Sequence, residues 1–134
     1  MQNLNSTKEA IRAEVPSATV RVLQLDLSTQ KEVRKAASEF NSWDDVPVLD
    51  ILINNAGVMQ NRYELNEDGI EAHFATNHIG HFLFTNLIMQ KILKAGNGAR
   101  IVNLSSGGYR NSEVRFDDYN FSVCMWAISV KQPY

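Results

Sequence analysis

The sequence Val48-Leu49-Asp50-Ile51-Leu52-Ile53-Asn54-Asn55-Ala56-Gly57 decides the fold. Five of its first six residues are apolar and three are β-branched, which predicts a short strand buried on both faces. The shortness of the run and the polar stop at Asn54 favour a strand over a segment of core helix. The residues from Asn54 to Gly57 then place amide groups and a glycine at the carboxyl end of the strand, where open α/β sheets bind ligands. An ordinary turn uses the same residue types, so these four residues alone leave both interpretations open.

The segments around this strand follow a rhythm of strands and helices. Residues 19–25 alternate apolar and polar side chains and are predicted to form a strand. Ile101 to Leu104 is predicted as a further buried strand. Ser28 or Thr29 can cap a helix between the first two strands, and a long helix is predicted over residues 69–94. The apolar face of the capped helix comprises Val33, Ala36, Ala37 and Phe40. The order strand, helix, strand, helix, strand predicts an α/β fold with a parallel sheet.

Two other segments are predicted to be less regular. A weak helix begins with Ser6 as its cap and ends before Pro16. Residues 41–47 form a polar loop that contains Trp43. These segments add no functional signal of their own.

Three short motifs, in order along the chain, resemble the signatures of one known family. Residues 49–57 resemble the Asn-Asn-Ala-Gly strand of the short-chain dehydrogenase/reductase family. Asn77-His78-Ile79-Gly80-His81-Phe82 and Ile101-Val102-Asn103-Leu104-Ser105-Ser106 resemble its next two signatures. Asp68-Gly69-Ile70-Glu71 is similar to the retinol-dehydrogenase-like branch. The resemblance runs from about Ser6 to Asp118, and three ordered motifs are far more specific than one.

This resemblance implies a partial Rossmann-like, doubly wound parallel sheet that lacks the first βαβ unit and the C-terminal strands. Residues 1–122 would form the partial NAD(P)-binding domain, and residues 123–134 an irregular tail. Near its start the chain lacks the family's phosphate-binding unit, in which a strand, a glycine-rich turn and a helix follow one another. The sequence also contains no Tyr-x-x-x-Lys. It therefore resembles the middle of a longer dehydrogenase. In the family the missing first strand lies between strands 19–25 and 48–53, so we expect an open apolar edge and a chain that is poorly stable or associates.

Size and composition limit the classes of function. The 134 residues can hold one domain with a real core, and 44% apolar and 21% charged residues are ordinary for a soluble protein. The net charge of −2 gives no footprint for nucleic acid and no polybasic patch for a membrane. No apolar run approaches the length of a transmembrane segment. Cys124 is the single cysteine, which excludes an internal disulfide and favours a reducing compartment, the cytoplasm.

The resemblance assigns the cofactor contacts to two strand ends. The Asp26 carboxylate and the Leu27 backbone would contact the adenine ring, although a turn aspartate is the plain alternative for Asp26. Asn55, Ala56 and Gly57 would line the cofactor. The cofactor would be NAD or NADP, and the choice between them stays open because the discriminating residues lie upstream of this sequence in the family.

The resemblance also assigns the catalytic residues. Ser106 matches the family's catalytic serine, whose hydroxyl would hold the substrate oxygen. Asn77 would interrupt the long helix and help to hold the water and lysine of a proton relay; a hydrogen-bonded core asparagine is the alternative. Tyr134 resembles the family tyrosine and would be the general acid, but it is equally well read as a frayed terminus. Lys131 precedes Tyr134 and cannot replace the assisting lysine.

The sequence also bears on several rival functions. His73, His78 and His81 do not form a metal site by their spacing, and no metal is expected. A serine hydrolase lacks its Gly-x-Ser-x-Gly elbow. The predicted function is a fragment of an NAD(P)-dependent oxidoreductase for an alcohol or carbonyl substrate, inactive as an isolated chain. The alternatives are a non-catalytic protein that forms a homo- or heterodimer through the helix 69–94, where charging Phe84 or Leu87 would abolish pairing, and a receiver-like or flavodoxin-like module.

Overall fold

The structure is a computed structural model that describes residues 2–59, 62–111 and 113–123. Its helices are α1 (Gln2–Glu14), α2 (Gln30–Asn41), α3 (Ala72–Phe74) and α4 (Gly80–Lys94), with a π-helical segment, Ala75–Ile79, between α3 and α4. Short 3₁₀ turns cover Gly96–Gly98, Gly107–Asn111 and Phe116–Asp118. Two strands, β1 (Ile51–Asn54) and β2 (Arg100–Asn103), pair in parallel. Most of the expected tail, including Tyr134, lies outside the described residues.

Helix α2 forms as the sequence predicts. The extended backbone of Thr29 places its side-chain oxygen 3.4 Å from the N–H of Glu32, so Thr29 rather than Ser28 is the cap. The predicted apolar face is buried in full: Val33, Ala36, Ala37 and Phe40. The prediction of α2 is confirmed in both respects, since the helix has its own cap and its apolar face packs against α4.

The core lies between α2 and α4. Val33 of α2 and Ile88 of α4 are fully buried. Phe40 bridges the two helices, since its ring lies 6.4 Å from that of Phe84 and 5.3 Å from that of Trp43. Trp43 therefore packs against the core, although its segment is read as a polar loop from the sequence. This two-helix layer is what supports one face of the short sheet.

The sheet is smaller and more exposed than predicted. β1 begins at Ile51, not at Val48, and Ile51 and Ile53 are 58% and 59% exposed. All four residues of β2 are exposed, and its last residue is Asn103, not Leu104. The prediction that these strands are buried on both faces is therefore wrong. The α2–α4 layer covers the face with Leu52, and within the described part of the chain nothing comparable covers the other face.

The strand predicted at residues 19–25 does not form. Among the described residues the sheet contains β1 and β2 alone, and the backbone of residues 19–25 makes no backbone hydrogen bond to another described residue. Leu23 and Leu25 nevertheless pack against the core on alternate positions. The side-chain pattern of a strand is present, but a strand needs a partner to complete its hydrogen bonds.

The helix predicted over residues 69–94 starts later and is interrupted. It begins at Ala72 because the Glu71 carboxylate caps the backbone N–H groups that follow. The π-helical segment then separates α3 from α4. The C-terminal end of the predicted helix agrees with the structure, since α4 ends at Lys94 and Gly96 adopts a φ of +76° just beyond it. Ser6 lies inside α1 and is not its cap, whereas α1 does end before Pro16.

Candidate functional site

The two strands end side by side and bring two of the predicted motifs to one edge. Asn54 pairs with Asn103, and its side-chain N–H group donates to the Asn103 side-chain oxygen at 2.8 Å. The same amide donates to the Thr85 hydroxyl of α4 at 3.1 Å, and Asn54 is buried. The N–H of Leu104 donates to the Asn54 carbonyl at 3.0 Å. The loops that hold Asn55 and Ser106 therefore leave the sheet from adjacent positions.

Asn77 holds the loop after β1 against the helix. Its side-chain oxygen accepts from the N–H of Val58 at 2.8 Å, and its side-chain nitrogen donates to the Val58 carbonyl at 3.0 Å. A primary amide satisfies both backbone groups of one residue, as a neighbouring strand would. Asn55, Ala56 and Gly57, which lie between β1 and this contact, are exposed at the edge of the sheet. The plain alternative of a buried core asparagine is wrong, because Asn77 itself is exposed.

The π-helical segment surrounds Asn77, so the helix is interrupted where the resemblance implies. The N–H of Gly80 bonds to the carbonyl of Ala75, five residues back. The ring nitrogen Nδ1 of His81 donates to the Asn77 carbonyl at 3.1 Å, which assigns the proton to that nitrogen. Single π-helical turns are frequent at functional sites because they re-aim one side chain. Here that side chain is Asn77.

The turn with Asp26 and Leu27 lies directly on α4. A Cβ atom at Gly80 would be 2.4 Å from the Leu27 carbonyl oxygen, so only glycine permits this approach. Leu27 is buried, with its side chain in the core and its carbonyl oxygen against Gly80. The Ser28 hydroxyl and N–H donate to Asp26 and lower its pKa, against a smaller opposing effect of burial. Asp26 is therefore an exposed, ionised acceptor at neutral pH.

Ser106 is exposed on the loop after β2. Its hydroxyl oxygen accepts from the N–H of Gly108 at 3.2 Å, and this bond leaves the hydroxyl proton free to be donated elsewhere. The remaining predicted catalytic residue, Tyr134, lies outside the described residues.

Three residues with structural contacts are not found by sequence reasoning, two of them near the site and Lys91 at the other end of α4. Glu71 is 5% exposed and accepts from both the backbone and the ring of His73. Asn120 joins the segment near Tyr119 to the start of the helix, since its oxygen accepts from the N–H of Glu71 at 2.9 Å. Lys91 is buried, and its ammonium group donates to two carbonyls of the loop after α2. Only the position of Glu71 before a helix is a sequence signal for its role.

The three histidines have separate partners. His73 pairs with Glu71 at 2.6 Å, His81 bonds to Asn77, and the His78 ring stacks on Phe74 with 5.5 Å between the ring centres. Within the described ranges no group of three or more potential metal ligands occurs. A helix long and apolar enough to cross a membrane is also absent from those ranges.

A parallel pair of strands, a helix interrupted beside their carboxyl ends, and amide and hydroxyl groups gathered there are the features of an α/β protein at the edge where open sheets bind ligands. The family of short chain dehydrogenases matches residues 1–122, and this chain belongs to that family. Its similarity to retinol dehydrogenases places it in their branch. Both expectations from the sequence motifs are thereby confirmed.

Individual relatives show the extent of the similarity. The chain is 53% identical over 106 residues to short-chain dehydrogenase TIC 32 A, chloroplastic, of Brassica napus, which covers 76% of this chain and 32% of that protein. It is 40% identical over 123 residues to human retinol dehydrogenase 13, covering 92% of this chain and 36% of the relative. A short-chain dehydrogenase from Sphingobium yanoikuyae, solved with NADPH, superposes with a TM-score of 0.62 at 23% identity, over 95% of this chain and 50% of that one. The chain spans about a third of the length of these curated relatives.

Proposed function

We propose that this chain forms the central part of an NAD(P)-dependent oxidoreductase that acts on an alcohol or carbonyl substrate. The observation that supports this best is the clamp of Asn77 on Val58. The clamp holds residues 55–57 open at the sheet edge, next to the strand that leads to Ser106. Single π-helical turns are frequent at functional sites, and this one carries the exposed Asn77.

The residues present fit two parts of a dinucleotide. Asp26 is an ionised acceptor at the carboxyl end of its segment, suited to an amino or hydroxyl group of the adenosine. The small residues Ala56 and Gly57 let a flat ring approach the backbone after β1. The fit is to NAD or NADP without preference, and no glycine-rich turn for the pyrophosphate is present in this sequence. When bound, the nicotinamide supplies or accepts the hydride.

Two side chains of this chain would have separate roles, Ser106 at the substrate oxygen and Asn77 at the loop of residues 55–58. The Ser106 hydroxyl would donate a hydrogen bond to the substrate oxygen as negative charge develops there. Asn77 acts as a positioning residue for the loop at 55–58. A tyrosine, Tyr134 in this proposal, would exchange the proton, and the lysine that assists it in the family is not in this sequence.

The isolated chain is proposed to be inactive. Catalytic groups that act as a unit lose activity by many orders of magnitude when one is removed, and here the assisting lysine and the phosphate turn are both missing. The proposed compartment is the cytoplasm, supported by the single cysteine. The proposed substrate is a small alcohol or carbonyl compound, as the family implies.

A chimera tests the proposal directly. The aligned 123-residue segment of human retinol dehydrogenase 13 is replaced by this chain, and oxidation of retinol is measured with NAD and with NADP. We expect activity from the chimera and no turnover from the purified 134-residue chain. In the chimera, Ser106→Ala should lower kcat by about 100-fold or more, the usual cost of one oxyanion donor.

Ser105→Ala in the same chimera is the matched control and should change kcat by no more than a few fold. Circular dichroism and cofactor binding confirm that each chimera folds. A folded, cofactor-binding chimera in which both alanine variants behave alike would overturn the role of Ser106. Turnover by the 134-residue chain alone would overturn its proposed inactivity.

A second candidate is a non-catalytic protein that pairs with a full-length relative through α4. The exposure of Phe82 and Leu93, at 62% and 64%, favours it. Phe84 is buried in the core and Leu87 packs against it, so we expect a charge at either position to destabilise the fold as well as any pairing. Co-purification with a full-length relative distinguishes this candidate from the first.

A further inference from the structure

The loop of residues 66–71, which precedes α3, contacts the turn that leads into α2. This 66–71 loop contains the motif that is similar to the retinol-dehydrogenase-like branch. The side-chain nitrogen of Asn66 donates to the Ser28 carbonyl at 2.7 Å. The Asp68 carboxylate accepts from the N–H of Gln30 at 2.9 Å. Each contact joins positions 38 apart in sequence, so the loop ties the start of α2 to the start of the interrupted helix.

Asn66 is held in one orientation by its own loop. Its side-chain oxygen accepts from the N–H groups of Asp68 and Ile70 at 3.0 and 2.9 Å. Its backbone carbonyl accepts from the N–H of Gly69 at 3.0 Å, and Gly69 has a φ of +73°, a conformation that favours glycine. The Asn66 amide is therefore already oriented toward Ser28, so their hydrogen bond costs little additional side-chain entropy.

Ser28 connects the 66–71 loop to Asp26. The N–H of Ser28 donates to the Asp26 carboxylate at 2.8 Å, while the Ser28 carbonyl accepts from the loop. Both peptide groups of Ser28 are thus fixed, one by the candidate adenosine contact and the other by the loop. On the far side of the turn, Gly80 of α4 lies against the Leu27 carbonyl. The residues that line the junction of loop, turn and helix leave no space for a water molecule.

The contacts from the 66–71 loop act on the turn more than on the core. Helix α2 already has its own cap, Thr29, and a buried apolar face. Asp26, by contrast, lies at the surface, and the hydrogen bond from Ser28 fixes the direction of its carboxylate. Removing the contacts of the loop should therefore release the turn and leave the core packed.

We propose that Asn66 and Asp68 are positioning residues for the adenosine end of the dinucleotide. By holding the turn they preorganise the Asp26 carboxylate as a hydrogen-bond acceptor, so that the ligand does not have to order the turn when it binds. The identity of this ligand rests on the proposed function. The inference gives the branch motif a role in cofactor affinity, separate from the transfer of hydride or proton.

Binding of the two halves of the cofactor to the retinol dehydrogenase 13 chimera tests the proposal. The probes are ADP-ribose, or its NADP counterpart, which carries the adenosine end, and nicotinamide mononucleotide, which carries the other end. Calorimetry should show that Asn66→Ala and Asp68→Ala each weaken ADP-ribose by about tenfold, roughly the factor of one hydrogen bond. Nicotinamide mononucleotide should bind unchanged. In turnover, KM for the cofactor should rise by a similar factor while kcat stays within about twofold.

Glu67→Ala is the matched control for charge. Glu67 is an exposed carboxylate between the two positions, so its removal changes the net charge of the loop as Asp68→Ala does. The control should leave ADP-ribose affinity within about twofold, because an exposed charge contributes little. Asp68→Asn keeps an acceptor oxygen for the N–H of Gln30 and should restore most of the affinity that Asp68→Ala loses.

Amide hydrogen exchange of the 134-residue chain, without cofactor, measures the turn itself. In Asn66→Ala the amides of Ser28 and Gln30 should exchange about tenfold faster, since local opening then costs less. The amide of Phe40, in the core part of α2, should exchange at its original rate. Equal acceleration at Phe40 would show general destabilisation and would overturn the assignment of a positioning role.

The binding outcomes separate this inference from the proposed function. Unchanged ADP-ribose affinity in both alanine variants would overturn the positioning role and leave the oxidoreductase proposal intact. Weaker ADP-ribose binding by the variants, in a chimera that does not oxidise retinol, would support the positioning role and count against the proposed function. An unaltered chimera that binds neither half of the cofactor would overturn both.

Discussion

Replacing Glu71 with glutamine tests how the helix that carries Asn77 is held in place. The Glu71 carboxylate accepts from the N–H groups of His73 and Phe74 at 3.1 and 2.9 Å, and from the His73 ring at 2.6 Å. Glutamine has nearly the same shape and keeps one acceptor oxygen. Glu71→Gln therefore removes the charge and one acceptor without opening a cavity.

The magnitude follows from these contacts. Hydrogen bonds to a charged group contribute about 1.5–3 kcal/mol each and neutral ones about 0.5–1.5 kcal/mol. Loss of a helix cap costs about 1 kcal/mol. Because glutamine keeps part of the cap, we expect Glu71→Gln to lower the free energy of unfolding by about 1–2 kcal/mol at neutral pH.

The effect should depend on pH in a defined direction. Burial alone would raise the pKa of Glu71, but the hydrogen bonds from His73 and Phe74 outweigh it and lower the pKa from the ordinary 4.5. The folded state thus binds this proton less readily than the unfolded state. Its stabilisation is complete above pH 4.5 and is lost as the pH falls through the lower, folded pKa. Since glutamine does not titrate, the difference between wild type and variant should shrink over that window.

Urea unfolding followed by circular dichroism, at neutral pH and at about pH 3.5, measures both quantities. Glu67→Gln is the matched control, because Glu67 is an exposed carboxylate nearby, and it should change stability by less than about 0.5 kcal/mol. Equal losses for the two variants, or a difference for Glu71→Gln that grows in acid, would refute the reasoning.

Two further substitutions test the contacts of α4, each by urea unfolding. Gly80→Ala places a Cβ atom 2.4 Å from the Leu27 carbonyl oxygen and should cost about 1–3 kcal/mol or more, whereas Gly98→Ala, with no atom within 4 Å, should be nearly neutral. Lys91→Met removes two bonds of 2.8 and 2.7 Å to carbonyls of the loop after α2 and should cost about 1–3 kcal/mol, against almost no change for the exposed Lys94→Met. Equal effects within either pair would contradict the corresponding contact.

The elements that form as predicted are those that find a packing or hydrogen-bonding partner among the described residues. The cap at Thr29 and the apolar face of α2 form as expected, because α4 is present to bury that face. Residues 19–25 carry an equally clear strand pattern, yet they form no strand. A strand is completed by hydrogen bonds to a second segment, which a pattern of side chains does not supply.

The candidate site is predicted in its residues but not in its contacts. Resemblance to the family motifs indicates Asn77 and Ser106. The parallel register of β1 and β2 brings the loop that Asn77 contacts and the loop of Ser106 to one edge of the sheet. The bond of Asn77 to Val58 joins positions nineteen apart in sequence, and no local pattern encodes it. The roles of Asn120 and Lys91 are likewise set by carbonyls and N–H groups distant in sequence.

The helix layer, rather than the sheet, fixes the geometry of the candidate site. Asn77, Gly80 and Thr85 of the interrupted helix each hold a different loop or strand end at the same edge. Both strands, by contrast, are largely exposed. In this structure the Asn77-to-Phe82 motif therefore positions the groups at the edge of the sheet. The contacts of this scaffold identify the family, whereas activity depends on the groups that hold a cofactor and move a proton, so recognition of the family and possession of the activity are separate physical questions.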